Sequence, residues 1–160
     1  MSGLQKKVRT CFWVNRGGHE MAKFYVSLLP DSRIDAVFEH GNAADPMVVE
    51  FTLAGAPMMV LTGGPGAPAP SDAASVSVLT KTQAETDRLW AALTADGGAE
   101  GMCGWLRDRY GIAWQIVPEQ MPGFLGHADR EKAGRAMAAM MTMRKLDIAA
   151  IEAAFNGETV

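Results

Sequence analysis

The same series of secondary-structure patterns occurs twice along this 160-residue chain, and this repetition limits the folds that the chain can adopt. Each half contains a strand pattern, then an amphipathic helix pattern, then short strand patterns. A βαβββ unit of this length is too small to enclose a core by itself. The repeat therefore predicts an α+β fold in which two βαβββ modules form paired curved mixed sheets around a cavity.

The first module is predicted to span residues 1–62. Residues 8–14 are largely apolar, and their β-branched and aromatic side chains are typical of a strand. In 19–29, apolar side chains recur every three or four residues, which predicts a helix that ends at Pro30. Three more strands are predicted at 34–38, 47–53 and 57–61.

A stretch rich in Gly, Pro and Ala predicts a linker at 63–72, and the second module follows at 73–118. Its elements have the same order as those of the first module, so that the two modules are expected to make one domain. The prediction gives a strand at 74–79, a helix at 83–93, a short strand near Ala99, and strands at 102–107 and 112–117.

Residues 119–160 are predicted to form a C-terminal helical tail of two short helices. Asp129 and Asp147 are placed to cap the N-termini of these helices. The apolar faces of the helices, which are rich in methionine, need a partner. That partner is either the rest of this chain or a second subunit, since methionine suits irregular packing in both cases.

Composition excludes several classes of function. The formal charge of -3 comes from interspersed acidic and basic residues, so no basic surface is expected to bind nucleic acid. Charges and glycines interrupt every apolar stretch, so no membrane helix is expected. No targeting segment is expected at the N-terminus, and the only cysteines, Cys11 and Cys103, predict reduced thiols in a cytoplasmic protein.

Several strings resemble one known family. They are Phe-Trp-Val at 12–14, Lys-Phe-Tyr-Val-Ser-Leu-Leu-Pro-Asp-Ser at 23–32, Cys-Gly-Trp-Leu at 103–106, Gly-Ile-Ala-Trp-Gln-Ile-Val-Pro at 111–118, and the tail at 131–155. Together they are similar to the PhnB-like branch, also described as 3-demethylubiquinone-9 3-methyltransferase-like, of the vicinal oxygen chelate (glyoxalase/bleomycin resistance/dioxygenase) superfamily. The resemblance covers nearly the whole chain and implies a paired βαβββ fold that forms a homodimer.

The resemblance also implies where a metal site would lie, because metal-using members place four ligands, mostly His and Glu, one on each of four strands that face the cavity. In this chain Arg9 stands at the first position, and about Val60 at the second. The strand at 73–79 has no His, Asp or Glu, and Gln115 stands at the last position. These side chains bind a divalent ion poorly, so we expect no metal and no other cofactor.

Strand alternation predicts an apolar pocket with few polar side chains. It places Arg9 and Trp13 on one strand face, which the resemblance identifies as the cavity side. Such a pocket suits a planar or hydrophobic ligand, held by stacking and oriented by one guanidinium and one amide. For Trp13 and Trp105, packing alone is an equal alternative. The predicted ligand-binding residues are Arg9, Trp13, Met58, Val60, Trp105 and Gln115.

Three functions remain open from the sequence, and it names no catalytic residue. The first is a metal-independent protein that binds a small apolar or aromatic molecule. The second is an enzyme of the same superfamily, of the lyase, isomerase or dioxygenase type, that uses a metal through other ligands or acid-base chemistry. The third is a non-catalytic dimeric scaffold. The methyltransferase description lacks residue support, because the glycines at 97–98 follow a helix, whereas a methyl-donor loop follows a strand.

Overall fold

The computed structural model describes residues 6–40 and 45–158. The chain divides into two compact units, Met1–Ala69 and Pro70–Val160. Each unit contains one four-stranded mixed sheet with a helix on one face. The predicted α+β fold with two βαβββ modules and a C-terminal helical tail is confirmed.

In the first unit, a parallel pair of strands forms one side of the sheet. β1 pairs in parallel with β4, and β4, β3 and β2 pair in antiparallel fashion to give the order β1-β4-β3-β2. The parallel pair requires the crossover that α1 provides. The elements are β1 (Thr10–Val14), α1 (Gly18–Leu28), β2 (Arg33–Phe38), β3 (Val48–Leu53) and β4 (Ala56–Thr62).

The core of the first unit lies between α1 and one face of this sheet. Tyr25 of α1 is fully buried, and its ring makes edge contacts with the rings of Phe12 and Phe51. The distances between ring centroids are 6.0 Å and 6.3 Å, respectively. Gly18 begins the helix close to the sheet, where a Cβ atom would collide with Thr62. The contacts of Phe12 show that alternate residues of β1 face either the helix or the open side of the sheet.

The second unit repeats this arrangement with the strand order β5-β8-β7-β6. β5 and β8 are parallel, and the other two pairs are antiparallel. Trp114 and Ile116 of β8 are fully buried, as are Leu89 and Leu93 of α2. The elements are β5 (Ser75–Thr80), α2 (Gln83–Thr94), β6 (Ala99–Glu100), β7 (Trp105–Arg107) and β8 (Ala113–Pro118).

The tail contains α3 (Met121–Leu125), α4 (Arg130–Met141) and α5 (Ile148–Asn156), one more helix than predicted. Asp129 and Asp147 cap α4 and α5, as the sequence predicts. Leu146, between these helices, lies against Gly104 at the start of β7, so the tail packs on its own unit. None of the helices within 6–40 and 45–158 has the length and apolarity to cross a membrane.

Candidate functional site

The face of the first sheet opposite α1 carries an apolar row that crosses all four strands. Pairing places Trp13 beside Leu61, and Val48 and Phe38 continue the row to the far edge. Trp13 is 46% exposed and Phe38 48% exposed. The indole of Trp13 also lies against the backbone of Gly63, at the start of the connection to the second unit. This row is therefore an apolar surface that solvent reaches.

Two predicted ligand-binding residues lie on the opposite face, so the prediction that Met58 and Val60 face the cavity is wrong. Val60 pairs with Phe12, whose ring contacts Tyr25, and both Met58 and Val60 are buried on the helix side. Thr62, two residues further along β4, lies on the same side against the start of α1. The register of β4 against β1 places Met58, Val60 and Thr62 in the core, and the residues between them on the open face.

Arg9 lies next to β1 on the open face, and acidic side chains from β2 and β3 hold its guanidinium. Nη2 lies 3.1 Å from Glu50 Oε2, and Nη1 lies 3.5 Å from Asp35 Oδ2. Nη1 also donates to the Met58 carbonyl at 3.3 Å, and Thr52 Oγ1 donates to Asp35 Oδ2 at 2.7 Å. Only 11% of the Arg9 side chain is exposed. The charge predicted to orient a ligand is thus neutralised within the first unit.

A hollow of about 500 Å³ lies beside this network. Its lining is mostly charged, with Lys6 and Lys7 exposed to solvent. A hollow of this kind offers little apolar surface to an uncharged ligand. The lining residues are Lys6, Lys7, Arg9, Glu50 and Met59.

Cys11 is the thiol of this open face, where it pairs with Met59 across β1 and β4. Partial burial of the thiol raises its pKa above the ordinary value, and a hydrogen bond with the backbone of Leu61 offsets part of this effect. A raised pKa lowers the thiolate fraction at neutral pH, so Cys11 is a poor nucleophile.

The open face of the second sheet brings two other predicted residues together. Trp105 of β7 lies opposite Gln115 of β8, so their side chains project from the same face. Gln115 Nε2 donates to Ser75 Oγ of β5 at 2.8 Å, which fixes the orientation of the amide. Trp105 is half-buried, and its indole therefore has surface available for contact.

Trp105 lines a pocket of about 410 Å³ in the second unit, within the range of small-molecule sites. Arg107, two residues along β7 on the same face, forms an ion pair of 2.9 Å with Asp72. Arg107 Nη1 also donates to the Pro70 carbonyl at 3.3 Å, so this guanidinium fixes residues 70–72 beside the strand. The lining residues are Asp72, Ala99, Glu100, Gly101, Met102, Trp105, Leu106 and Arg107.

Sequence reasoning missed Arg107 and Asp72. Strand alternation alone could have identified Arg107, since it lies two residues after Trp105. Asp72 carries no such signal, because its position in an irregular segment depends on the ion pair with Arg107.

The open faces do not fit the metal site that the family resemblance implies. The open face of the first sheet presents Cys11 and Met59, and that of the second sheet presents Ser77 and Gln115; these positions include no imidazole or carboxylate. Asp35 and Glu50 are nearby carboxylates, but Arg9 engages both. Within the described part of the chain, no group of three His, Cys, Asp or Glu side chains could hold an ion.

Comparison with known families agrees with this fold. The family described as 3-demethylubiquinone-9 3-methyltransferase matches residues 6–117 of this chain, well over half its length. No curated protein matches.

Solved structures provide further matches. The PhnB protein of Bacillus cereus, named after the same methyltransferase, is 26% identical with a TM-score of 0.61, over 71% of this chain and 99% of that protein. Protein PA1353 of Pseudomonas aeruginosa is 22% identical with a TM-score of 0.59, over 72% and 98%. The fosfomycin resistance protein FosX of Mesorhizobium loti is 14% identical with a TM-score of 0.50, over 73% and 91%, and shows the fold alone.

Proposed function

Since this chain belongs to the 3-demethylubiquinone-9 3-methyltransferase family, the PhnB-like branch of the vicinal oxygen chelate superfamily, we propose that it binds a small apolar or aromatic molecule without a metal. The pocket beside Trp105 is the observation that carries this proposal. Its volume suits a ligand of one or two aromatic rings.

The composition of the pocket defines the ligand class. The half-buried indole of Trp105 offers a surface for stacking, and Met102 adds a polarizable thioether. Arg107 and Asp72 neutralise each other, and the Glu100 carboxylate, which accepts a hydrogen bond from Trp90 Nε1, remains in the lining, so the pocket disfavours an anionic ligand. Gln115 does not line the pocket, but it lies opposite Trp105, and its amide, held by Ser75, retains an oxygen that can accept a hydrogen bond.

Methyl transfer is not part of this proposal. Gly97 and Gly98 follow α2 rather than a strand. Gly17, in the turn between β1 and α1, donates its amide to Asp45 Oδ2 at 2.9 Å, so this helix N-terminus already binds a carboxylate. A donor nucleotide requires a glycine-rich turn whose backbone amides are available to it.

Tryptophan fluorescence tests the proposal. We expect the neutral probe N-phenyl-1-naphthylamine to quench the parent protein saturably. Trp105→Phe should remove most of this response, whereas the matched variant Trp13→Phe should retain it. Ala99→Phe should fill the pocket and weaken binding. If the probe quenched the parent, Trp105→Phe and Ala99→Phe proteins to the same extent and with the same affinity, the assignment would be refuted.

Metal independence is tested separately. Protein expressed in medium supplemented with Zn, Ni, Fe and Mn should contain none of them in stoichiometric amount. The unfolding temperature should not rise when these ions are added, because a bound ion stabilises the folded state by mass action. Stoichiometric metal, together with a rise in unfolding temperature, would favour a metal-dependent enzyme of this superfamily instead.

We also propose that the chain forms a homodimer through the apolar row of Trp13, Leu61, Val48 and Phe38. Exposed apolar patches of this kind are typical of interfaces. Phe38→Lys should therefore shift the sedimenting species toward the monomer, while Met137→Lys, at a similarly exposed position on α4, should not. A monomeric parent protein would contradict this assembly.

A further inference from the structure

Two sulfur atoms meet on the surface of the second unit, between the sheet and the tail. The thiol of Cys103 lies 3.6 Å from the thioether sulfur of Met141, the last residue of α4. Cys103 N donates to the Met143 carbonyl at 2.7 Å, and Gly104 N donates to the Arg144 carbonyl at 2.8 Å. The backbone of both segments therefore sets this sulfur pair, rather than the side chains alone.

The sequence around Met141 is rich in thioethers. Met140 and Met143 pack into the apolar cluster of the tail. Met137 and Met141, one helical turn apart, face outward instead, with 43% and 57% of each residue exposed. Packing accounts for the first two methionines but not for the exposed pair.

We propose that Cys103 and Met141, with Met137 as a third donor, bind one soft monovalent cation, Cu(I) or its analogue Ag(I). With metal–sulfur bonds of about 2.3 Å, the length typical of thiolate ligands, two sulfurs 3.6 Å apart give an angle of about 100° at the ion. Such an angle leaves room for a third ligand. Binding replaces the proton of the Cys103 thiol, which is released to solvent.

The donor set determines this class of ion. Thiolate and thioether sulfur favour Cu(I) over hard or borderline cations, which prefer oxygen and imidazole ligands. The nearby cationic side chains bind other groups. Arg144 donates to the Glu100 carbonyl, and Lys145 pairs with Asp87 at 2.6 Å. This site is separate from the metal-independent pocket proposed above, and neither proposal depends on the other.

Competition titration under reducing, anaerobic conditions tests the site, with Cu(I) supplied as its bicinchoninate complex. The parent protein should remove one equivalent of Cu(I) and develop thiolate-to-Cu(I) absorption in the ultraviolet. Cys103→Ser should abolish that absorption. Met141→Leu, which preserves size and apolarity, should weaken Cu(I) affinity by at least the roughly 10- to 100-fold that loss of one supporting contact costs at metal sites.

Two controls separate this site from chance binding at a thiol. Cys11→Ser removes the other cysteine, and this variant should still bind one equivalent of Cu(I) tightly. Met140→Leu removes a thioether of the tail cluster, and this variant should also bind one equivalent of Cu(I) tightly. Circular dichroism of each variant checks folding. Full Cu(I) affinity in Met141→Leu would overturn the proposal, because the ion would then need Cys103 alone. A parent protein that binds no tight equivalent of Cu(I) would overturn it as well.

Discussion

Arg9 and Glu50 form an ion pair of 3.1 Å on the open face of the first sheet, with 11% and 20% of their side chains exposed. Asp35, 18% exposed, completes the network from β2. The three side chains lie close together although Arg9 and Glu50 are 41 positions apart in the sequence. Arg9 stands at a position that the family resemblance assigns to a metal ligand, and its ion pairs join the segment before β1 to β2 and β3.

Replacing Arg9 should therefore destabilise the first unit. Arg9→Met leaves the partly buried Glu50 without this counterion and leaves Asp35 with Arg33, whose Nε lies 3.0 Å from Asp35 Oδ1, as its remaining ion-pair partner. This loss should lower the free energy of unfolding by about 1–3 kcal/mol. Urea denaturation measures this change. Lys23→Ala, which breaks the exposed pair with Glu20, is the control and should have a much smaller effect. Equal losses in both variants would contradict the structural role of the network.

Asp108 should be essential to the turn that precedes β8. Only 1% of this residue is exposed, and its carboxylate accepts hydrogen bonds from Tyr110 N, Ile112 N and Trp114 Nε1. Asp108→Asn places an amide donor against one of these N–H groups, which should cost about 1–3 kcal/mol. Urea denaturation followed by tryptophan fluorescence reports this loss. The control Asp96→Asn changes an exposed ion pair and should leave stability nearly unchanged.

Gln83 of α2 should hold the N-terminus of α5 in place within the second unit. Its Nε2 donates to the Leu146 carbonyl at 3.1 Å, and its Oε1 accepts from Ile148 N at 2.9 Å. Gln83→Ala should accelerate amide hydrogen exchange at Ile148, because that amide loses its acceptor. Glu85→Ala, on the same helix, removes a hydrogen bond to Lys81 N and serves as the comparison. Unchanged exchange at Ile148 would show that apolar packing alone fixes α5.

The raised pKa of Cys11 predicts slow alkylation. In the Cys103→Ser variant Cys11 is the remaining cysteine, and the rate with iodoacetamide should follow its thiolate fraction. Because burial raises the pKa, the rate should increase through a higher pH range than that of a free cysteine in solution. Mass spectrometry of timed samples measures it. Alkylation at neutral pH as fast as that of free cysteine would refute this prediction.

The sequence predicted the elements well where the signal was local. The apolar spacing at 83–93 identified α2, which extends over Gln83–Thr94, and Asp129 and Asp147 were correctly identified as helix caps. These features depend on residues within a few positions of one another. The five-residue helix α3, which has little apolar periodicity of its own, was not predicted.

Positions within the sheets were predicted less well. Alternation along β1 was correct, but Met58 and Val60 were assigned to the wrong face of β4. A strand pattern shows which residues share a face, and the register against a neighbour decides which face that is. The same limit hid the partners of Arg9, because no local pattern relates Asp35 and Glu50 to it.

The sequence by itself thus determined the two βαβββ modules, the helical tail and the family, because these follow from local periodicity and from strings of adjacent residues. Only the tertiary structure decided which side chains meet. It paired Arg9 with Asp35 and Glu50, placed Trp105 beside Gln115, and brought Cys103 to Met141. The physical reason is that strand register and helix docking depend on contacts between distant residues, which one-dimensional patterns do not specify.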